Sequence, residues 1–449
     1  MFDEIIDNEK QEIINQVCEV IKFRSVSNET NNEKMPFGEE CKRVLDYVLN
    51  LGKSFGFRTK NIDGYCGYIE CGEGDEMVGI IGHLDIVPAD EKDGWTTAPF
   101  EPQIRDNKIF GRGSIDDKGP VIASLYAMKA VVESGKKLNK RIRLILGLNE
   151  EKDWKCINHY KEALEEIPTV GFSPDADFPT IYAEKGILSL RVFAPCLVKN
   201  AEILEIDCQN NALNVVPKYC SITLKLNENI NFEDDDKIHV ERISEDKVKI
   251  TATGISAHAA HPDFGENAIT NLFEYLIKNT ECDLLSKFSE LGIFEITSPK
   301  FLANEKIEDE SGILTSNLGF ANYENGEIEI GINLRVPVNT SLDEIQEKYE
   351  KIESCRVKTT LKHEPLYIEK DSKLVKTLTE IFNQKTGLNL EPIAIGGGTY
   401  ARAFPNCVAF GANMPGQKDM CHQVDEFIDI DTLILSSKIY AQAIFELGK

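Results

Sequence analysis

Residues 78–88, Val-Gly-Ile-Ile-Gly-His-Leu-Asp-Ile-Val-Pro, form a short apolar run that closes on a histidine and an aspartate two places apart. The pattern over 77–82 has strand character. At strand spacing, residues i and i+2 point to one face, so His83 and Asp85 share a side. A carboxylate there can hold the ring nitrogen that a metal leaves free, which fixes the imidazole tautomer. Taken alone, a His close to an Asp is an ordinary surface pair. It gains weight from a series of carboxylates downstream, each in a special local context.

Outward from this strand the chain alternates. Ile5, Ile6, Ile13, Ile14, Val17, Val20 and Ile21 set a helical rhythm over 3–22. Val44, Leu45, Val48, Leu49 and Leu51 repeat it over 38–55. Residues 119–134 read as a helix after a Gly-Pro start, and 141–148 as a buried strand. This order predicts an α/β domain, a mixed sheet with flanking helices. From 187 to 375 the texture changes to β-rich runs (219–226, 247–253, 327–336) with helices near 266–278 and 342–353. A helix over 374–385 and short strands then resume the earlier style. The expected organisation is two-domain: a discontinuous catalytic domain, 1–186 and 376–449, with an inserted α+β lid domain, 187–375. That insertion exceeds the ~100–150 residues typical of one domain, so it has room for two subdomains.

Composition narrows the class. The 449 residues are 42% hydrophobic and 28% charged, which is the balance of a globular chain. Fifty Lys and Arg against 75 Asp and Glu leave a net charge of −25, which opposes attraction to nucleic acid or to an anionic membrane. The acidic start lacks the basic and apolar regions of a secretory signal. No apolar run approaches the roughly 18 residues of a membrane span. The twelve cysteines contain no Cys-x-x-Cys, against zinc-finger and thioredoxin readings. Reduced thiols in a cytoplasmic protein are the expectation.

Four further stretches carry chemistry. In Gly-Arg-Gly-Ser-Ile-Asp-Asp-Lys-Gly-Pro, 111–120, two adjacent carboxylates sit in a glycine-flanked turn before a helix, where one could bridge two cations. Glu150-Glu151 follows the 141–148 strand, and ligand sites in open α/β sheets collect at such carboxyl ends. Neighbouring carboxylates there can take different tasks, one ligating and one moving protons. Ser-Pro-Asp-Ala-Asp-Phe-Pro, 173–179, is a proline-bounded loop that presents an acid, Asp175 or Asp177. His422 stands near the C-terminus beside Cys421. Imidazoles and carboxylates in this mixture suit Zn²⁺, and a pair of metals needs a bridging carboxylate and a shared water.

The ordered set His83-x-Asp85, Asp116-Asp117-Lys118-Gly119, Glu150-Glu151, Asp175 and His422 resembles the M20 family of metallopeptidases, and within it the PepV-type dipeptidases. Gly-Ile-Ser-Ala-His-Ala-Ala-His-Pro (254–262) and Gly-Gly-Gly-Thr-Tyr-Ala-Arg (396–402) support that subgroup. The likeness runs from about residue 10 to 445. It implies two Zn²⁺ per chain, with Mn²⁺ or Co²⁺ as other candidates. His83 and Asp175 would hold one ion, Glu151 and His422 the other, and Asp116 both, with a cis peptide after Asp116. It also implies that Asp85 orients His83, that Glu150 is the general base, and that His258 polarises the scissile carbonyl from the lid. Asn214, Arg335, Gly397, Gly398 and Arg402 would bind the substrate. Two features depart from a simple carry-over. His261 follows His258 closely, so sequence leaves both open as the lid histidine. Asn333 stands two before Arg335, where relatives often carry an acid. The expected activity is that of a monomeric dipeptidase acting on short peptides with a free N-terminus. An N-acyl-amino-acid deacylase or carboxypeptidase of the same family is the alternative, and a non-catalytic binding protein a more distant one.

Overall fold

Strand Met77–His83 is buried along its whole length, as a strand covered on both faces must be. In the computed structural model, which describes residues 1–209, 212–228 and 230–449, it runs parallel to Arg141–Gly147 on one side and to Val170–Ser173 on the other. Antiparallel strands Arg58–Ile62 and Cys66–Cys71 extend the sheet past Arg141–Gly147. Cys407–Ala409, from the far end of the chain, continues it in parallel beside Val170–Ser173, and Ile181–Glu184 follows. The sheet is therefore mixed, with a parallel centre, as the alternating pattern predicts.

Both faces of the central strand are covered, following its side-chain alternation. On the Gly82 face, Val121 of helix Lys118–Glu133 comes so close that a Cβ at Gly82 would lie 2.6 Å from it. On the Gly79 face, Pro168 makes a similar approach at 2.4 Å. Helix Lys118–Glu133 also packs against Phe2–Ile21 and Ile430–Gly448, so both chain ends build this core. Helix ends follow local chemistry. Ser372 caps Lys373–Thr386 by accepting the Val375 N–H, and Gly387, at φ +73°, ends it.

The chain divides into two compact units, one of 1–182, 368–393 and 399–449, the other of 183–367 and 394–398. The second holds two antiparallel four-stranded sheets. One orders Thr315–Glu324, Glu327–Val336, Gly186–Pro195 and Arg356–His363; the other orders Ala201–Asp207, Tyr219–Leu226, Lys247–Thr253 and Ile238–Arg242. Side chains from both, with helix Ala268–Asn279, join one continuous apolar cluster that includes Leu190, Ile222, Phe273 and Ile332. Among the described residues no helix is long and apolar enough to cross a membrane. The cysteines are free thiols.

A close strand-to-strand approach in the central sheet gives a stability test. Gly171 lies so close to the neighbouring strand that a Cβ would sit 2.3 Å from the Gly79 carbonyl oxygen. Gly171→Ala must push the two parallel strands apart, and overpacking of this kind costs about 1–3 kcal/mol. Denaturant unfolding should show that loss; a change below about 0.5 kcal/mol, the scale of a neutral surface substitution, would mean that the strands yield freely.

Candidate metal centre

Three parallel neighbours deliver the first donors. His83 is the last residue of Met77–His83, Glu150 and Glu151 follow Arg141–Gly147, and Asp175 follows Val170–Ser173. Their carboxyl ends lie side by side, the position at which open α/β sheets gather ligands. Asp116 arrives from the glycine-flanked turn before helix Lys118–Glu133, and His422 from a loop where its own φ is +64°. The Asp116–Asp117 peptide is cis.

Asp116 stands at the middle. Its Oδ1 is 3.0 Å from His83 Nε2, and its Oδ2 is 3.0 Å from His422 Nε2. Each histidine faces a further carboxylate: Asp175 Oδ2 lies 3.5 Å from His83 Nε2, and Glu151 Oε2 lies 3.0 Å from His422 Nε2. One carboxylate thus separates two imidazole–carboxylate pairs. Single donor atoms of His83, Asp116 and Glu151 come within 4.8 Å of one another, as do those of His83, Glu150 and Asp175. The loop alternative left open by sequence divides here, since Asp175 approaches His83 while the Asp177 side chain bonds to Asn413.

Asp85 does more than a ring partner. His83 Nδ1 lies 2.9 Å from the Asp85 main-chain oxygen, closer than the 3.5 Å to its carboxylate. That carboxylate instead accepts the backbone N–H of Glu150 at 3.1 Å and of Glu151 at 3.2 Å. The side chain is taken by the neighbouring loop, so the carbonyl is the nearer group to the ring. Two residues without a role in the sequence reading support His83. Asp117 Oδ2 accepts its backbone N–H at 3.0 Å, and the buried Tyr400 ring meets the imidazole edge-on at 6.3 Å between centroids. The paired aspartates were a signal for the first; nothing local in sequence points to the second.

The electrostatics are those of a site built for positive charge. Burial works against a charged His83, but bonds to Asp116, Asp175 and Asp85 outweigh it and raise its pKa well above the ordinary value. His422 is opposed by burial too, yet Asp116 and Glu151 push it up to about 11. Burial, then the charge of Asp116, raises Glu151 to about 7. Burial and the neighbouring Asp175 and Glu151 raise Glu150 well above the carboxylate range, against the pull of His83. Asp116 alone goes down, because its two histidines overcome the cost of burial. Imidazole nitrogens and carboxylate oxygens in this arrangement fit Zn²⁺ or a similar divalent ion.

The remaining sequence candidates divide between the two units. Arg402 is in the short helical turn Tyr400–Ala403 of the first unit. Asn214, His258, Arg335, Gly397 and Gly398 belong to the second. There the Asn214 main-chain carbonyl accepts the Ala259 N–H at 2.9 Å, and Val215 bridges to His258. His261 stacks on Phe264. Arg335 is buried, with Nε donating to Asn333 Oδ1 at 2.9 Å and Nη1 to the Gly396 carbonyl at 3.2 Å.

Residues 79–446 match the pattern of Peptidase family M20/M25/M40. The chain is 39% identical to a Bacillus subtilis protein named "Putative dipeptidase YtjP", over 98% of each chain. It is 33% identical to a Staphylococcus epidermidis protein named "Putative dipeptidase", over 100% of this chain and 99% of that protein. Among solved structures, human carnosine dipeptidase 1 shares the fold at a TM-score of 0.61 and 16% identity, covering 100% of this chain and 98% of its own.

Loading the site should release protons. His422, at about 11, is protonated at pH 7, and an imidazole must be neutral to ligate. Titrating Zn²⁺ into chelator-treated protein at pH 7 should give heats that vary with the ionisation enthalpy of the buffer, and uptake should weaken as pH falls. Buffer-independent heats would contradict this charge distribution.

Proposed function

The chain belongs to Peptidase family M20/M25/M40, and from that premise we propose that it is a di-metal dipeptidase acting on short peptides with a free N-terminus. The observation that carries this reading is the placement of Asp116, with one oxygen toward His83 and the other toward His422. His83 and Asp175 would hold one ion, Glu151 and His422 the second, and Asp116 both. Zn²⁺ is the proposed ion, and Mn²⁺ or Co²⁺ would accept the same donors. When bound, such a pair lowers the pKa of water and polarises the scissile carbonyl.

The protein's own groups supply the rest. Glu150 is the proposed general base, taking a proton from the attacking water on a carboxylate oxygen and passing it to the leaving amine nitrogen. Asp85 accepts from the main chain of both Glu150 and Glu151, so base and ligand are set by one carboxylate. By resemblance, His258 would donate to the carbonyl oxygen as negative charge develops. Asn214 and Arg335 would contact the substrate, and Gly397, Gly398 and Arg402 would take its free carboxylate. The dipeptidase names of relatives matched over nearly their whole length support this choice within the family.

The test is hydrolysis of free dipeptides by chelated protein before and after Zn²⁺ or Mn²⁺ is restored, beside blocked dipeptides, N-acetyl amino acids and a tripeptide. Metal-dependent cleavage of free dipeptides alone is the expected result. Cleavage of acyl-amino acids instead would transfer the chain to a deacylase. Glu150→Gln should keep its metal and lose turnover by about 10²–10⁴-fold, the range of a general acid–base contribution; near-normal turnover would remove Glu150 from that role.

A further inference from the structure

Glu426 is fully buried four residues beyond His422, just before strand Phe427–Asp429. Its carboxylate reaches into the turn that carries Asp116. Oε1 accepts the backbone N–H of Ile115 at 3.0 Å and of Asp116 itself at 3.3 Å, with Ser114 Oγ at 3.5 Å. Oε2 pairs with Arg112 Nη1 at 2.7 Å. Arg112, only 4% exposed, directs Nη2 to the main-chain oxygen of His422 at 3.3 Å. The Glu426 carbonyl accepts the Gly111 N–H at 2.9 Å.

One carboxylate and one guanidinium thus join two loops more than 300 residues apart in sequence. Both ends of the link fall on proposed ligands: the amide of Asp116 and the carbonyl of His422. A buried carboxylate is costly unless it is paired and hydrogen-bonded, and here its bonds go to the bridging residue's own backbone. The planar fork of arginine suits a link of two directions, which a single ammonium cannot reproduce. We infer that Glu426 and Arg112 are a positioning pair that holds Asp116 and His422 at the separation needed to share one cation. This rests on the di-metal reading. Neither residue meets substrate; both act through the ligands.

Two variants test it. Glu426→Gln keeps the shape and one acceptor oxygen but sets an amide where Arg112 needs a charge. Arg112→Lys keeps the charge and loses the fork. Competition with a chromophoric chelator should resolve two zinc-binding steps in the unaltered protein. Each variant should weaken one step about ten- to a hundredfold, the usual effect of removing a ligand's outer partner, and kcat should recover in excess Zn²⁺. Phe2→Ala is the control: it opens a gap between the terminal helices of the same unit, where buried Phe2 packs on Phe445, and should lower Tm without altering zinc affinity. If folded Glu426→Gln or Arg112→Lys takes up both ions with unaltered affinity, the inference is overturned, whatever its Tm. Should Glu426→Gln fail to fold, Arg112→Lys decides alone. Unaltered protein that binds no zinc would overturn the di-metal reading and this inference with it.

Discussion

The first unit is organised around one carboxylate held between two imidazoles. Asp116 is almost buried, yet it stays ionised because His83 and His422 face its two oxygens. Glu150, Glu151 and Asp175 crowd the same volume, and burial, with the charge of neighbouring carboxylates, raises the pKa of each. Like charges packed in a low-dielectric pocket are unfavourable. Such an arrangement is sensible where cations offset that negative charge, which is why the charge pattern and the donor geometry lead to the same reading.

The sheet exists to bring those donors together. Two of the parallel strands end in register, His83 lying opposite Gly147, and the third pairs its Phe172 with Ile80, so the loops that follow each strand begin near one edge. Small residues permit the approach: a side chain at Gly147 would run into Tyr400, the ring that packs on His83. Asp85 then ties the His83 loop to the Glu150–Glu151 loop through two main-chain bonds. Strand ends and short bonded loops hold these candidate donors in place, as a site with several donors from distant sequence requires.

Much of the fold is legible in the sequence because it rests on periodicity. The apolar rhythm of 3–22 becomes helix Phe2–Ile21, and 141–148 becomes strand Arg141–Gly147. In the second unit, strands Tyr219–Leu226, Lys247–Thr253 and Glu327–Val336 fall on the runs read as β-rich, whereas the helix expected over 342–353 ends at Glu350. Helix ends are set by fraying and capping, which periodicity does not encode. Candidate donors are legible because histidines and carboxylates stand in glycine-flanked or strand-end contexts. Arg112 and Glu426 are silent: each looks like an ordinary charged residue until the fold buries both and points them at one another.

The sequence by itself determined the components: the residue types able to hold a divalent ion, their order along the chain, and strand and helix patterns strong enough to imply an α/β sheet. These are local properties, carried by side-chain chemistry and by repeats of two and 3.6 residues. Only the tertiary structure decided which oxygen of Asp116 faces which histidine, that Asp175 rather than Asp177 approaches His83, and that Asp85 offers its carbonyl to the ring and its carboxylate to the next loop. Those outcomes depend on contacts between segments tens to hundreds of residues apart, where a shift of one ångström changes the partner. No periodic signal in a single sequence carries that information, because it arises when packing settles the loops against each other.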